Sequence, residues 1–175
     1  MALENQPENI NLLSPISFRL VIDKFPLINY WCQSVNLPGM SVAETTIPTP
    51  FVDIPIFGDK VEFEPLTVTV LVDEDLQNFI EITNWMKAVG TPESFNQRTE
   101  YYSTQKGLSD NNLDNLFSDA TLHILTNNKN PNKEVTFRDI FPTTIGELTF
   151  DSTGDNESVT TSITFQIRDY IIDGK

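Results

Sequence analysis

One cysteine, Cys32, and one histidine, His123, are all the chain holds of the residue types that most often carry nucleophilic or metal chemistry. A lone cysteine excludes an internal disulfide and a thiolate zinc cage, and it fits assembly in a reducing compartment. Bases are scarce: 11 Lys and Arg face 25 Asp and Glu, for a formal charge of −14. The acid excess runs through both halves of the chain, so no basic patch exists against which phosphates would release counterions. Tight nucleic-acid binding is disfavoured as a function. Glycine is also sparse, with 7 scattered residues, none clustered before a helix as a phosphate loop requires. No apolar run approaches the roughly 20 residues that span a bilayer. The first eleven residues are polar and carry acids without a base, unlike a signal peptide. A soluble protein without membrane insertion, not exported by these routes, is therefore expected.

What is present suffices for one core. Hydrophobic residues make up 39% of 175 residues, twelve of them Phe, enough apolar material for a single folded domain over 1–175. No internal repeat is evident. Residues 1–13 read as a mobile polar arm. Ile16, Phe18, Leu20 and Ile22 then alternate with Ser17, Arg19, Val21 and Asp23, the period-2 signature of a half-buried strand. Leu27 to Val35 reads as a second strand, closed by the turn Leu37-Pro38-Gly39.

Residues 40–65 form an extended, β-branched stretch broken by Pro48, Pro50, Pro55 and Pro65, and Phe57-Gly58-Asp59-Lys60 reads as a hairpin tip. Proline cannot donate to a central ladder, so this stretch is an edge or a projecting hairpin arm. Its apolar residues Ile47, Phe51, Ile54, Ile56 and Phe57 either fold back over their own core or serve as subunit contacts. Leu66, Val68, Val70 and Val72 mark the next strand. Residues 75–89 have helical spacing, with Asp73-Glu74-Asp75 as an acidic start and Gly90 and Pro92 as a stop. Residues 91–118 read as one long polar loop, a length that suggests a contact role. Further strands are marked by Ala120, Leu122 and Ile124, by Val135 and Phe137, by Leu148 and Phe150, and by the alternating run Val159 to Ile167. The polar turn Asp151 to Glu157 joins the last two. The fold class expected is mainly β: two packed antiparallel sheets or a β-barrel-like body, one flanking helix and a projecting arm.

No catalytic, cofactor or metal residues stand out. His123 reads as a strand residue opposite Leu122 and Ile124, and Cys32 as a small hydrophobe. The acidic triplet is explained by helix capping, and the turn Asp151 to Glu157 lacks the spacing of a calcium loop.

Two ordered stretches carry a resemblance. The first runs from Leu37-Pro38-Gly39 through Ile54, Gly58-Asp59 and Leu66 to Val70, then to Asp73-Glu74-Asp75 and Trp85. The second is Phe141-Pro142-Thr143-Thr144-Ile145-Gly146-Glu147-Leu148 with the closing strand to Tyr170. Together they resemble the tail tube proteins of contractile-tailed bacteriophages. The resemblance implies hexameric rings whose sheets join in one β-barrel and which stack into a hollow tube, with DNA passing through without tight binding. It also implies tail sheath and baseplate or terminator proteins as partners, a place in the virion tail, and assembly in the host cytoplasm. On that reading Glu62, Glu64 and Glu147 are candidates for charge on the channel wall, and the arm becomes a ring-to-ring contact. Alternatives are a tube initiator, or the inner tube protein of a contractile injection system. A more distant one is a monomeric β-sandwich binding module with Tyr101 and Tyr102 as its platform. A hydrolase would need His123 beside a nucleophile.

Overall fold

The computed structural model describes residues 11–94, 96–104, 116–152 and 158–174. Along the chain these form β1 (Phe18–Ile22), α1 (Ile28–Trp31), β2 (Cys32–Val35), β3 (Met40–Pro48), β4 (Asp53–Phe63), β5 (Leu66–Leu71) and α2 (Gln77–Gly90). They continue with α3 (Asn96–Thr104), β6 (Ser118–Leu125), β7 (Pro131–Ile145), β8 (Thr160–Gln166) and β9 (Asp169–Gly174).

Alternation in these strands sends one side of each into a common core. Leu20 and Ile22, Val68 and Val70, Val135 and Phe137, and Ile163 and Phe165 are all buried there. Seven strands pair antiparallel, and β7 divides them into two sheets. The first part of β7 lies between β6 and β9, with β1 beyond β6. The remainder pairs with β8, followed by β5 and then β2. The bend between the two parts lies at Asp139, whose φ of 51° is left-handed. Aspartate enters that region more often than most residues with a Cβ. Here the Asp139 N–H donates to Asp119 Oδ1 at 3.0 Å, the Asp139 carboxylate pairs with Arg168, and the Arg168 N–H donates to the Arg138 carbonyl at 3.2 Å.

Helix α2 covers the core with Ile82 and Trp85. The Trp85 indole N–H donates to the Leu116 carbonyl at 2.8 Å, satisfying its one polar atom. Both Asp73 oxygens accept from the first helical amides, those of Gln77 and Asn78, each at 3.2 Å. The acidic start therefore acts as a cap. At the other end Thr91, with φ 42°, takes the left-handed position and Gly90 remains inside the helix.

The body is mainly β, built on two antiparallel sheets as expected, and it is not a closed barrel: among the described residues the outer sides of β1, β9, β2 and the end of β7 have no neighbouring strand. Several expectations need correction. Leu27 to Trp31 is not strand, because Phe25 and Ile28 enter the core three residues apart, the spacing of a helical turn. Part of the expected loop 91–118 is α3, so the described residues hold three helices and not one. Leu148 and Phe150 belong to no strand. Expectations that fall on residues 1–10, 105–115 and 153–157 lie outside the described residues.

Candidate assembly surfaces

Strands β3 and β4 form a ribbon that, among the described residues, pairs with no other strand. Its two feet are tied together at the root. Asn36 Nδ2 donates to the Pro65 carbonyl at 3.2 Å, and the Thr67 N–H donates to Asn36 Oδ1 at 2.6 Å. The Glu64 N–H donates to the Gly39 carbonyl at 2.9 Å. Pairing runs from Met40 with Phe63 out to Pro48 with Asp53. Nine extended residues reach about 30 Å from the body at about 3.4 Å each.

The segment 57–60 is not the tip. Val42 pairs with Val61 and Glu44 with Phe57, so Gly58, Asp59 and Lys60 bulge opposite Ala43 alone. A Cβ on Gly58 would stand 2.6 Å from the Ala43 carbonyl oxygen, so glycine is required by close approach. The true tip is the turn Thr49 to Val52.

Beyond the bulge, directly paired residues share a face of the ribbon. Ile47 with Ile54, and Thr45 with Ile56, line one face; Phe57 with Glu44, and Pro48 with Asp53, line the other. Phe51 is 98% exposed and Phe57 82%; Ile47 and Ile54 are exposed as well, and Ile56 is half-buried. These residues lie away from the core, outside its cluster. Met40, Val42 and Val61 are also exposed. Sequence reading missed them, although they continue the same β-branched and apolar pattern towards the root. A two-stranded ribbon has no interior of its own and is marginal in water, and this one exposes apolar groups on both faces.

The sheet borders differ in kind. In the half ending at β2 and the end of β7, one border carries Pro142, which has no N–H to offer, and the other is a four-residue strand with a register shift between Cys32 and Ser34. Such features blunt an edge. In the other half β1 and β9 hold no proline and pair in regular register. Strands alternate in direction across β1, β6, β7 and β9, so β1 and β9 run opposite ways. One row across this half reads Arg19, His123, Glu134, Asp173. It lies on the side away from Leu20, Leu122 and Val135, with an exposed cation at one border and an exposed acid at the other.

Of the candidate channel carboxylates, Glu62 and Glu64 are exposed at the arm's root, flanking Phe63, which turns inward. Glu147 is exposed past the end of β7, on a different element. His123 Nδ1 lies 3.7 Å from Glu134 Oε2 on the outer face of β6. Burial pushes the Cys32 thiol up to about 11, away from the thiolate form. Among the described residues no three His, Cys, Asp or Glu side chains gather as a metal site, and no helix is long and apolar enough to cross a membrane.

The phage tail tube protein family matches residues 14–173, and no curated protein matches the chain. Solved structures share the fold at low identity. A chain of the anti-feeding prophage cap, which terminates the tube, aligns with a TM-score of 0.63 and 12% identity over 100% of both chains. A chain of the anti-feeding prophage baseplate aligns with a TM-score of 0.59 and 11% identity, covering 90% of this chain and 91% of that one. A chain of the sheath/tube terminator of an extracellular contractile injection system, in its extended state, aligns at 0.54 and 16%, covering 95% and 100%.

Proposed function

The chain belongs to the phage tail tube protein family and is a structural tube subunit, and on that premise we propose that its copies close into hexameric rings through the β1 and β9 borders. The rings stack into a hollow tube, and DNA passes through it. The two unblocked, oppositely directed borders carry this reading. Placing β9 of one copy beside β1 of the next by rotation continues the sheet antiparallel, removes both open edges, and in the unshifted row brings Asp173 beside Arg19. Ile172, 52% exposed in the same border, gains cover. The partners beyond the tube are a sheath and a baseplate or terminator protein, the place is the virion tail, and assembly precedes release from the host cytoplasm. With −14 on each copy, a wall bearing Glu62, Glu64 and Glu147 repels phosphates within the ~8 Å screening length.

Reversing the border charges tests the ring. Arg19→Asp and Asp173→Arg each weaken ring formation severalfold, as judged by sedimentation and negative-stain images, and the double reversal restores it. Both side chains are exposed, so the variants keep the fold. Singles without effect, or a double variant no better than the singles, contradict the border pairing.

A second reading keeps the subunit but changes its place. Likeness to chains of a tube-terminating cap, a baseplate and a sheath/tube terminator supports a tube initiator or the inner tube of a contractile injection system. Uniform long tubes from the purified chain alone favour the tube proper, and isolated rings favour the initiator.

A further inference from the structure

The arm tip is built more firmly than a free loop requires. Thr49 Oγ1 donates to the Val52 carbonyl at 2.5 Å and accepts from the Val52 N–H at 3.2 Å. The Thr49 N–H donates to the same carbonyl at 3.3 Å. Pro50 fixes one backbone angle inside the turn. This locked turn presents Phe51, 98% exposed, at the far end of a ribbon that among the described residues pairs only with itself.

Elsewhere on the body lies a cavity of about 240 Å³ walled by Val89, Arg98, Leu116, Phe117 and Phe141. Four of these five are apolar. A dry apolar cavity of roughly 150 Å³ already holds benzene, so this one has room for a phenyl ring. Phe117 and Phe141 meet edge-to-face at 5.6 Å, and Arg98 is held in place by the last carbonyls of α2, with Nε on Ala88 O at 3.3 Å and Nη2 on Val89 O at 3.5 Å. A guanidinium fixed at the edge of an apolar cavity is set to stack on an aromatic face. It is also the cavity's one charged wall, and Asp53 follows Phe51 by two residues at the start of β4, so the knob carries beside it a carboxylate matched to the hole.

We propose that Phe51 of one copy seats in the Val89–Arg98–Phe117–Phe141 cavity of another copy, with Asp53 against Arg98. The proposal rests on the tube-subunit reading, which makes a second copy the partner. Because knob and hole lie at different places on the same chain, the contact is heterologous and propagates from copy to copy. The rigid turn lowers the ordering cost of docking.

The test replaces Phe51 with the photo-crosslinking phenylalanine analogue p-benzoylphenylalanine and mixes that chain, about one part in ten, into isotopically heavy protein that keeps Phe51, under assembling conditions. Irradiation and mass spectrometry then map the adducts. Adducts on heavy Val89, Leu116, Phe117 or Phe141 support the seating. Assembled tubes with adducts elsewhere, or with none, overturn it while leaving the tube reading intact. If the chain that keeps Phe51 forms no oligomer at all, both fail. As a second arm, Phe51→Ala raises the concentration for half-assembly at least tenfold and Phe51→Leu recovers part of that. An unchanged concentration for Phe51→Ala overturns the proposal.

Discussion

Phe63, the last residue of the arm's second strand, meets the ring of Tyr170 edge-on at 5.4 Å between centroids. Tyr170 in turn meets Phe137 of the core at 6.0 Å. Three rings thus connect the arm's root to the centre of the sheet through β9. Aromatic pairs of this geometry contribute about 0.5–1.5 kcal/mol beyond their buried area. Tyr170→Leu is therefore expected to lower body stability by about 1 kcal/mol in urea unfolding and to speed amide exchange selectively in residues 40–63. Unchanged exchange in the arm would mean that the root hydrogen bonds alone hold it.

Asp139 separates two effects at the bend of β7. Its left-handed backbone costs roughly 1–2 kcal/mol for a residue with a Cβ, and its exposed pairing with Arg168 is worth at most about 1 kcal/mol. Asp139→Gly removes both the strain and the ion pair, so it is expected to be close to neutral. Asp139→Ala keeps the strain and loses the pair, with a loss of about 1 kcal/mol by chemical denaturation. Equal losses for the two variants would show that backbone strain has no part there.

Much of this body was legible in the sequence, and the gaps have physical causes. β1, β5 and β8 were readable because alternation is their burial pattern. The arm was readable because its prolines bar it from a central ladder. Its tip is hidden from local pattern because Gly58-Asp59, with the chemistry of a turn, serves a bulge, while the true turn is closed by the Thr49 hydroxyl. α1 resembles a strand in sequence because a single helical turn gives too few periods, and α3 gives no signal because Asn96 to Thr104 lacks an aliphatic stripe, its attachment to α2 made by Arg98 and by Tyr101 packing near Ala88 and Leu116. Borders are the hardest to read. That β1 and β9 lie open depends on which strands pair, and the Asp139–Arg168 contact joins residues no local pattern connects.

Glu81 on α2 offers a pH-dependent observable. Burial raises its carboxyl above the ordinary range, and Oε2 is buried without a hydrogen-bond partner. For an acid whose folded pKa is raised, the unfolded chain loses the proton first as pH rises. Stability therefore falls between the ordinary value of 4.5 and the higher folded value. Glu81→Gln removes the penalty and is expected to raise the melting temperature slightly at pH 7. The gain stays below about 1 kcal/mol at this half-exposed site and shrinks as pH approaches 4.5. A destabilised Glu81→Gln protein at pH 7 would contradict the desolvation argument.

The channel-wall assignment has its own test. Joint replacement of Glu62, Glu64 and Glu147 by lysine reverses the local sign while leaving the apolar arm and the sheet borders intact. Tubes are expected to assemble normally and DNA ejection to slow, more so at low salt, because screening weakens with dilution. Ejection at the native rate would remove these three from the wall.

Deletion of the arm is the sharpest measurement. Residues 41–62 are replaced by a short Gly-Ser turn across the root, where the Gly39 and Glu64 backbones already meet at 2.9 Å. Sedimentation is then compared with the full chain over a wide concentration range. The expected result is a folded body with near-native melting that no longer forms stacked tubes at any concentration. Stacked tubes from the arm-deleted protein would contradict the claim that the exposed ribbon joins one copy to the next.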